Sequence, residues 1–190
     1  MPVSLKKGQK VSLTKGNPGL KHVVVGIGWD VNAFDTGGDF DLDASAFCLN
    51  DTGRVSGSED FVFYGNLKHP SGAIQHLGDN LTGAGDGDDE QIVIDLLQVP
   101  QEYDRIVIVV NIYQAVQRKQ HFGMIQNAFI RLVDARNNNE MCRYNLTDNY
   151  SGMTAMIFGE VYRRNGEWKF NAIGQGTNDT GLNDLCRRYS

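Results

Sequence analysis

The stretch "TAMIFGEVYRRNGEWKF", residues 154–170, contains the strongest β-hairpin signal in the chain. Two runs rich in apolar, aromatic and β-branched residues flank the pair Asn165-Gly166. A two-residue type I′ turn needs a positive φ at both central positions, and Asn followed by Gly adopts that conformation readily. The stretch therefore predicts two antiparallel strands joined by a tight turn.

Similar apolar runs occur along the rest of the chain and are separated by Gly, Asn, Asp or Pro, which indicates strands and turns. Besides 154–164, strands are predicted at 11–14, 22–29, 44–50, 60–65, 73–78, 90–96, 105–113, 128–135 and 141–146. Helical patterns are few: residues 114–125 predict a helical turn or two, and apolar spacing over 182–189 predicts a short C-terminal helix. The predicted fold class is all-β, a β-sandwich of two largely antiparallel sheets with a few short helices, in a single domain over residues 1–190.

Composition places the chain among cytosolic globular proteins. Its 190 residues are 41% hydrophobic, the N-terminal segment has lysines without an apolar core, and no run is long enough to span a membrane. The three cysteines are widely spaced and contain no C-x-x-C pair, which favours reduced core residues over a disulfide or zinc site. We therefore expect a cytoplasmic protein without zinc.

The net charge of −5 conceals a strong asymmetry. Twelve of the 23 acidic residues lie in segments 30–51 and 78–96, which contain no Lys, Arg or His. The remaining 11 acidic residues face all 18 Lys and Arg, so the rest of the chain is about +7. Two concentrated base-free segments point to a site more strongly than a uniformly acidic surface does.

The first acidic segment contains "GGDFDLDASAF", residues 37–47. Since side chains alternate along a strand, Asp39, Asp41 and Asp43 are expected on one face, with Phe40 and Leu42 on the other. Carboxylates about 7 Å apart repel by roughly 2.4 kcal/mol per pair at an effective dielectric of 20. A bound dication would reverse the sign of this interaction, so the pattern favours a row of metal ligands.

The second segment, "GDNLTGAGDGDDE" at residues 78–90, combines carboxylates with glycines that let backbone carbonyls turn inward. Calcium accepts six to eight oxygen ligands in flexible geometry, whereas magnesium requires a tighter octahedron. The two segments therefore favour calcium, although Ala44 stands where an EF-hand loop requires Gly. The alternative is a solvated acidic loop beside an exposed strand face.

The motifs "VGIGWD", "FDLDASAF", "GDNLTGAGDGDDE", "FIRLVD" and "MIFGEVYRRNGEWKFNAIGQG" resemble the TerD family of tellurium-resistance and general stress proteins. The resemblance covers residues 3–186. It implies a β-sandwich that binds calcium through acidic loops, is cytoplasmic or loosely membrane-associated, and has no established catalytic activity. Members of the family often carry Asp where this chain has Gln114, and this departure predicts weaker binding of one ion.

The predicted cofactor is Ca²⁺, with about two ions. The oxygens of the acidic motifs, together with a glycine that frees the loop backbone, form the predicted metal site: Asp30, Asp41, Asp43, Asp79, Asn80, Gly83, Asp86, Asp88, Asp89 and Glu90.

Two classes of function remain open. The first is a non-enzymatic calcium-binding stress protein whose partners are other stress-response or membrane-associated proteins, with no nucleic acid. The second is a metal-dependent phosphoryl hydrolase, for which His76 is the candidate base and Arg54 the nearest cation. A variant of the first class is calcium-dependent membrane docking through apolar loop tips at Phe34 and Leu81.

Overall fold

The computed structural model describes residues 1–31, 40–78 and 87–190. Twelve strands form two six-stranded sheets. Their bounds are β1 Val3–Leu5, β2 Lys10–Ser12, β3 His22–Val31, β4 Leu42–Leu49, β5 Phe61–Val62, β6 Ile74–His76, β7 Glu90–Asp95, β8 Arg105–Ile112, β9 Ile125–Asp134, β10 Asn139–Asn145, β11 Ala155–Arg164 and β12 Glu167–Thr177.

The first sheet has the order β1-β10-β9-β3-β7-β6 and the second has the order β2-β12-β11-β8-β4-β5. All of the pairings are antiparallel except that of β1 with β10, which is parallel. Helices α1 (Ala115–Arg118) and α2 (Leu182–Arg188) are short, as are two 3-10 turns at Ser58–Asp60 and Phe122–Met124. The predicted β-sandwich with a short C-terminal helix is confirmed.

The predicted hairpin is present at the β11–β12 connection. Arg164 pairs with Glu167, and the two residues between them, Asn165 and Gly166, have φ of 53° and 77°. Both positive values match the turn that the Asn-Gly pair predicts. This hairpin lies in the second sheet, where β11 also pairs with β8.

Alternation along β8 explains why the second sheet is buried on both faces. Ile106, Ile108 and Val110 enter the core between the sheets. Val107 and Val109 instead join a second apolar cluster on the outer face, which also contains Leu185 of α2. Helix α2 therefore covers the outer face, and this explains why a nearly continuous apolar run is stable in the middle of a sheet.

One strand prediction differs from the structure, and one strand was not predicted. The run at 60–65 supplies only Phe61–Val62, because the chain turns back at once through paired backbone bonds between Phe63 and Asn66. The three-residue strand β1 was not predicted, because its parallel pairing with β10 depends on a partner far along the chain. The three cysteines are free, with Cys48 and Cys142 buried as expected and Cys186 half-buried.

Candidate metal centre

The described ends of both acidic segments lie at one end of the sandwich. Leu42 and Ala44 of β4 enter the core, which leaves Asp43 on the opposite face of the strand as the alternation predicted. Asp41 precedes the strand, and Asp39 lies outside the described residues. The Asp41 carbonyl accepts a hydrogen bond from the Tyr113 amide at 2.7 Å, and Asp43 is buried opposite Asn111 of β8. The first acidic row is therefore fixed at the start of β4 by its backbone pairing with β8.

The second segment reaches the end of β3 through Asp89. The Asp89 amide donates to the Ile27 carbonyl at 2.8 Å, and its Oδ2 accepts from the Trp29 amide at 2.8 Å. Burial raises the pKa of Asp89 most, and the charges of Asp30 and Asp88 raise it further, although the Trp29 hydrogen bond opposes the change. Two neighbouring carboxylates therefore make the charged form of Asp89 unfavourable, and a bound cation would reverse that effect.

Asp30 lies at the exposed end of β3, next to Trp29. Its Oδ2 accepts a hydrogen bond from Asn127 Nδ2 at 2.8 Å. A neutral amide donor orients this carboxylate without neutralising its charge. This hydrogen bond holds the Asp30 carboxylate close to Asp89.

Asp88 differs from the other acids because a cation already pairs with it. Its side chain is only 2% exposed and forms a bidentate pair with Arg131, with Nε to Oδ1 at 2.7 Å and Nη2 to Oδ2 at 2.9 Å. Gln91 donates to Oδ2 as well, at 2.9 Å. The carboxylate lies over Gly26, where any side chain would collide with it.

Glu90 joins the two sheets at the same end. Its Oε2 accepts from the Ala44 amide at 2.7 Å, on the side of β4 that extends beyond the short edge strand β5. His76 Nε2 lies 3.1 Å from the Ala44 carbonyl and 3.4 Å from Glu90 Oε2. Strand β5 does not extend as far as Ala44, so Glu90 and His76 form the hydrogen bonds of the Ala44 backbone in its place. These contacts connect the second acidic segment to the first.

The surroundings of His76 bear on the hydrolase alternative. Its Nδ1 accepts from the Gly78 amide at 3.0 Å, so Nε2 carries the proton and donates within the buried contact described above. The side chain is 1% exposed, and Arg54 reaches the Ser190 carbonyl at 2.7 Å. The two residues that the hydrolase hypothesis named are thus engaged in structural contacts.

The other predicted ligands, Asp79, Asn80, Gly83 and Asp86, lie outside the described residues, as do Phe34 and Leu81. Within the described ranges, no group of three His, Cys, Asp or Glu side chains has an arrangement that would hold a metal. Gln114, where the family often has Asp, adopts a left-handed conformation before α1. The described carboxylates border the two segments and supply part of the predicted ligand set.

Sequence reasoning did not identify Arg131 as part of this end. Arg131 is the one charged residue in the apolar run "AFIRLVDA" before Asp134, and its position in β9 directs it to the outer face of the first sheet. A lone cation in such a run is a usable signal for a buried acidic partner. The partner is 43 residues away along the chain, so the sequence alone does not show which acid it is.

The structure thus defines an all-β sandwich that brings carboxylates from two separate acidic segments to one end. The TerD domain matches residues 1–189, and the chain belongs to the TerD family. The tellurium resistance protein TerD of Serratia marcescens is 54% identical to it, with 100% of this chain and 97% of that protein covered. The stress response protein SCP2 of Bacillus subtilis (strain 168) is 52% identical, with both chains covered completely.

A crystal structure of a homologue of telluride resistance protein (TerD) from Streptomyces coelicolor A3(2) has the same fold. The TM-score is 0.68 at 23% sequence identity, over 90% of this chain and 99% of the other. In the described residues, none of the helices has both the length and the apolar character needed to cross a membrane. The chain is therefore a member of a family of tellurium-resistance and stress-response proteins.

Proposed function

We propose that the protein is a non-enzymatic, cytoplasmic calcium-binding protein of the tellurium-resistance and stress-response type. It binds about two Ca²⁺ ions at the end of the sandwich where the acidic segments meet. The observation that carries this proposal is the pair of contacts that joins the segments, Asp89 Oδ2 to the Trp29 amide at 2.8 Å and Glu90 Oε2 to the Ala44 amide at 2.7 Å. These contacts bring the carboxylates of one segment beside those of the other.

The chemistry of the donor set fits calcium. The described candidates are carboxylate oxygens on short side chains, and calcium takes such oxygens in variable geometry. Asp30, Asp41, Asp43 and Asp89 would bind the ions. Asp88, whose two oxygens pair with Arg131, would position the segment, and Glu90 would hold it against β4. Bound calcium would neutralise repulsion among these acids and hold the loops in a single arrangement.

Calcium would act by presenting a surface to other proteins. Ordered acidic loops would form a recognition surface for other stress-response or membrane-associated proteins, with no nucleic acid involved. The names of the relatives, which are resistance and stress-response proteins, support a binding role over catalysis. The burial of His76 supports it as well, since this side chain is 1% exposed and is not available to a substrate.

Calorimetric titration of chelator-stripped protein with Ca²⁺, and separately with Mg²⁺, tests the proposal. We expect saturable binding of about two calcium ions and much weaker binding of magnesium. Asp89→Asn and Asp41→Asn should each lower the affinity for one calcium ion at least tenfold, because a charged ligand is replaced by a neutral one. Asp51→Asn is the matched control, since Asp51 is an exposed acid of the same base-free segment in the turn after β4.

The outcomes separate the hypotheses clearly. A protein without saturable calcium binding would have a solvated acidic end, and the proposal would be wrong. Tight binding of magnesium or manganese with phosphatase activity would instead support the hydrolase. If Asp89→Asn, Asp41→Asn and Asp51→Asn bind calcium with equal affinity, Asp89 and Asp41 are not ligands of the ions.

A further inference from the structure

A cavity of about 670 Å³ opens on the outer face of the second sheet, between the β5 and β8 region and helix α2. Phe61, Leu182 and Cys186 belong both to its lining and to the apolar cluster beneath α2. Small-molecule sites typically have volumes of about 300–1,000 Å³, with apolar walls and a few convergent polar groups. The cavity has this size, and its walls are about half polar and half apolar.

The polar group inside the cavity is the carboxamide of Asn111. Its neighbours in β8, Val110 and Ile112, face the core, so Asn111 faces the opposite side and lines the cavity. The residue is 3% exposed, and within the described part of the chain nothing forms a hydrogen bond with its Oδ1. A buried carbonyl oxygen without a donor costs about 1–3 kcal/mol, which a ligand with a suitable donor would recover.

Aromatic side chains form the walls around this amide. Tyr64 and Tyr113 remain 45% and 39% exposed at the cavity, and the rings of Phe63 and Tyr64 meet edge to face with centroids 5.3 Å apart. Stacking of a planar base on such a ring contributes about 1–3 kcal/mol. Exposed rings around a buried amide therefore favour a flat ligand over an aliphatic one.

We propose that this cavity binds a planar nitrogen heterocycle with an exocyclic amino group beside a ring nitrogen, as in adenine or cytosine nucleosides. A carboxamide offers one acceptor and one donor side by side, and Asn pairs in this way with the amino group and N7 of adenine. In the cavity, Asn111 accepts from the amino group and donates to the ring nitrogen, while the tyrosine rings stack on the base. Thr180 and Asp184 supply polar atoms for the ribose at the cavity lining.

The cavity adjoins the proposed calcium ligands, because Asn111 lies opposite Asp43 in the pairing of β8 with β4. Its test is therefore run with calcium and, in parallel, with chelator. The full-length chain is titrated with adenosine, with cytidine and with purine riboside, which lacks the amino group. We expect saturable binding of adenosine or cytidine under both conditions. Purine riboside should bind at least tenfold more weakly, because it leaves the Asn111 oxygen unpaired, and tenfold corresponds to about 1.4 kcal/mol.

Two variants make the assignment specific. Asn111→Leu should abolish binding without lowering the melting temperature, because it removes a buried oxygen that accepts no hydrogen bond in the described part of the chain. Tyr113→Ser, at the exposed rim, should weaken binding at least fivefold by removing the stacking surface. Ser45→Ala is the control for affinity, since Ser45 is another buried residue of the sheet that does not line the cavity.

Absence of saturable binding by both amino-bearing nucleosides would overturn the proposal. Affinity that survives in both Asn111→Leu and Tyr113→Ser would overturn it equally. The titration in chelator contains no free calcium and tests this proposal alone, so failure of the calcium proposal and failure of this one are distinguishable.

Discussion

Two buried carboxylates, Asp60 and Asp88, show how differently the same side chain is accommodated in this sandwich. Asp60 is fully buried and accepts from neutral donors: the Tyr103 hydroxyl at 2.6 Å, His69 Nε2 at 2.9 Å and the Ser56 amide at 2.7 Å. His69 carries its proton on Nε2 because its Nδ1 accepts from the Ser71 amide. Asp88 instead pairs with the guanidinium of Arg131 and has two further acids beside it.

The difference concerns the balance between carboxylates and their partners. At Asp60, several donors converge on one carboxylate, so the group is stable without any ion. At the acidic end, Asp30, Asp88 and Asp89 lie together while Arg131 pairs with Asp88. Carboxylates in excess over cations repel one another, and a bound cation would offset that repulsion. This contrast separates a structural carboxylate from a candidate ligand more clearly than burial does.

The largest expected effect comes from removing Asp60. Asp60→Ala leaves the donors of Tyr103, His69 and Ser56 without an acceptor in a dry environment, and should lower the free energy of unfolding by about 3–5 kcal/mol. Urea denaturation monitored by tryptophan fluorescence measures it. Asp51→Ala, at an exposed turn, should change stability by less than about 0.5 kcal/mol. Similar losses in the two variants would show that the donors around Asp60 are satisfied without it.

Calcium should act on the acidic end alone. An ion that binds only the native state stabilises it by about 2.7 kcal/mol per site at a hundredfold excess over its Kd. Thermal denaturation with and without calcium should show this gain in the unmodified chain and in Asp60→Asn, but a reduced gain in Asp89→Asn. If the stabilisation by calcium is reduced as much in Asp60→Asn as in Asp89→Asn, calcium does not act specifically on the acidic end.

Replacing the cation of the acidic end should have an intermediate effect. Arg131→Gln leaves Asp88 buried with a neutral partner and should cost about 2 kcal/mol in chelator-containing buffer. For the same reason, Asp88→Ala would strand the guanidinium and destabilise the apo fold.

Lys7→Gln is the control for Arg131→Gln, because the Lys7–Asp148 pair is about half-exposed on both sides. Pairs of this kind contribute about 0–1 kcal/mol. If Arg131→Gln is no more destabilising than Lys7→Gln, Asp88 does not depend on the guanidinium.

The sequence predicted the fold well because the relevant signals are local. Alternation, the Asn165-Gly166 turn and the spacing of Leu182 and Leu185 are all readable within a few residues. The acidic end was also recognisable, since the base-free segments are contiguous. The partners of individual acids were not, because Asp88 and Arg131 are 43 residues apart and so are Asp60 and Tyr103. Only the pairing of strands brings such residues together.

The smallest expected effect concerns one hydrogen bond of the Asp60 group and its dependence on pH. Tyr103→Phe removes the hydroxyl that donates to Asp60 and should cost about 1 kcal/mol at neutral pH. Burial, and then the hydrogen bond to Asp60, raise the pKa of Tyr103 above its ordinary value of 10.0. The folded chain therefore keeps this proton at a pH where the unfolded chain loses it.

The sign of the pH dependence follows from that difference. The contribution of the Tyr103 hydroxyl is complete below pH 10 and decreases above it, because ionisation of the unfolded chain then favours unfolding. The difference in free energy of unfolding between the unmodified chain and Tyr103→Phe should decrease as the pH rises above 10. Denaturation curves recorded at a series of alkaline pH values measure this difference. Tyr113→Phe is the control for loss of a tyrosine hydroxyl, since Tyr113 is exposed at the cavity rim. If the difference in free energy of unfolding between the unmodified chain and Tyr103→Phe does not vary with pH, the Tyr103 hydroxyl does not donate to Asp60. Asp60 would then have fewer hydrogen-bond donors than the comparison with Asp88 requires.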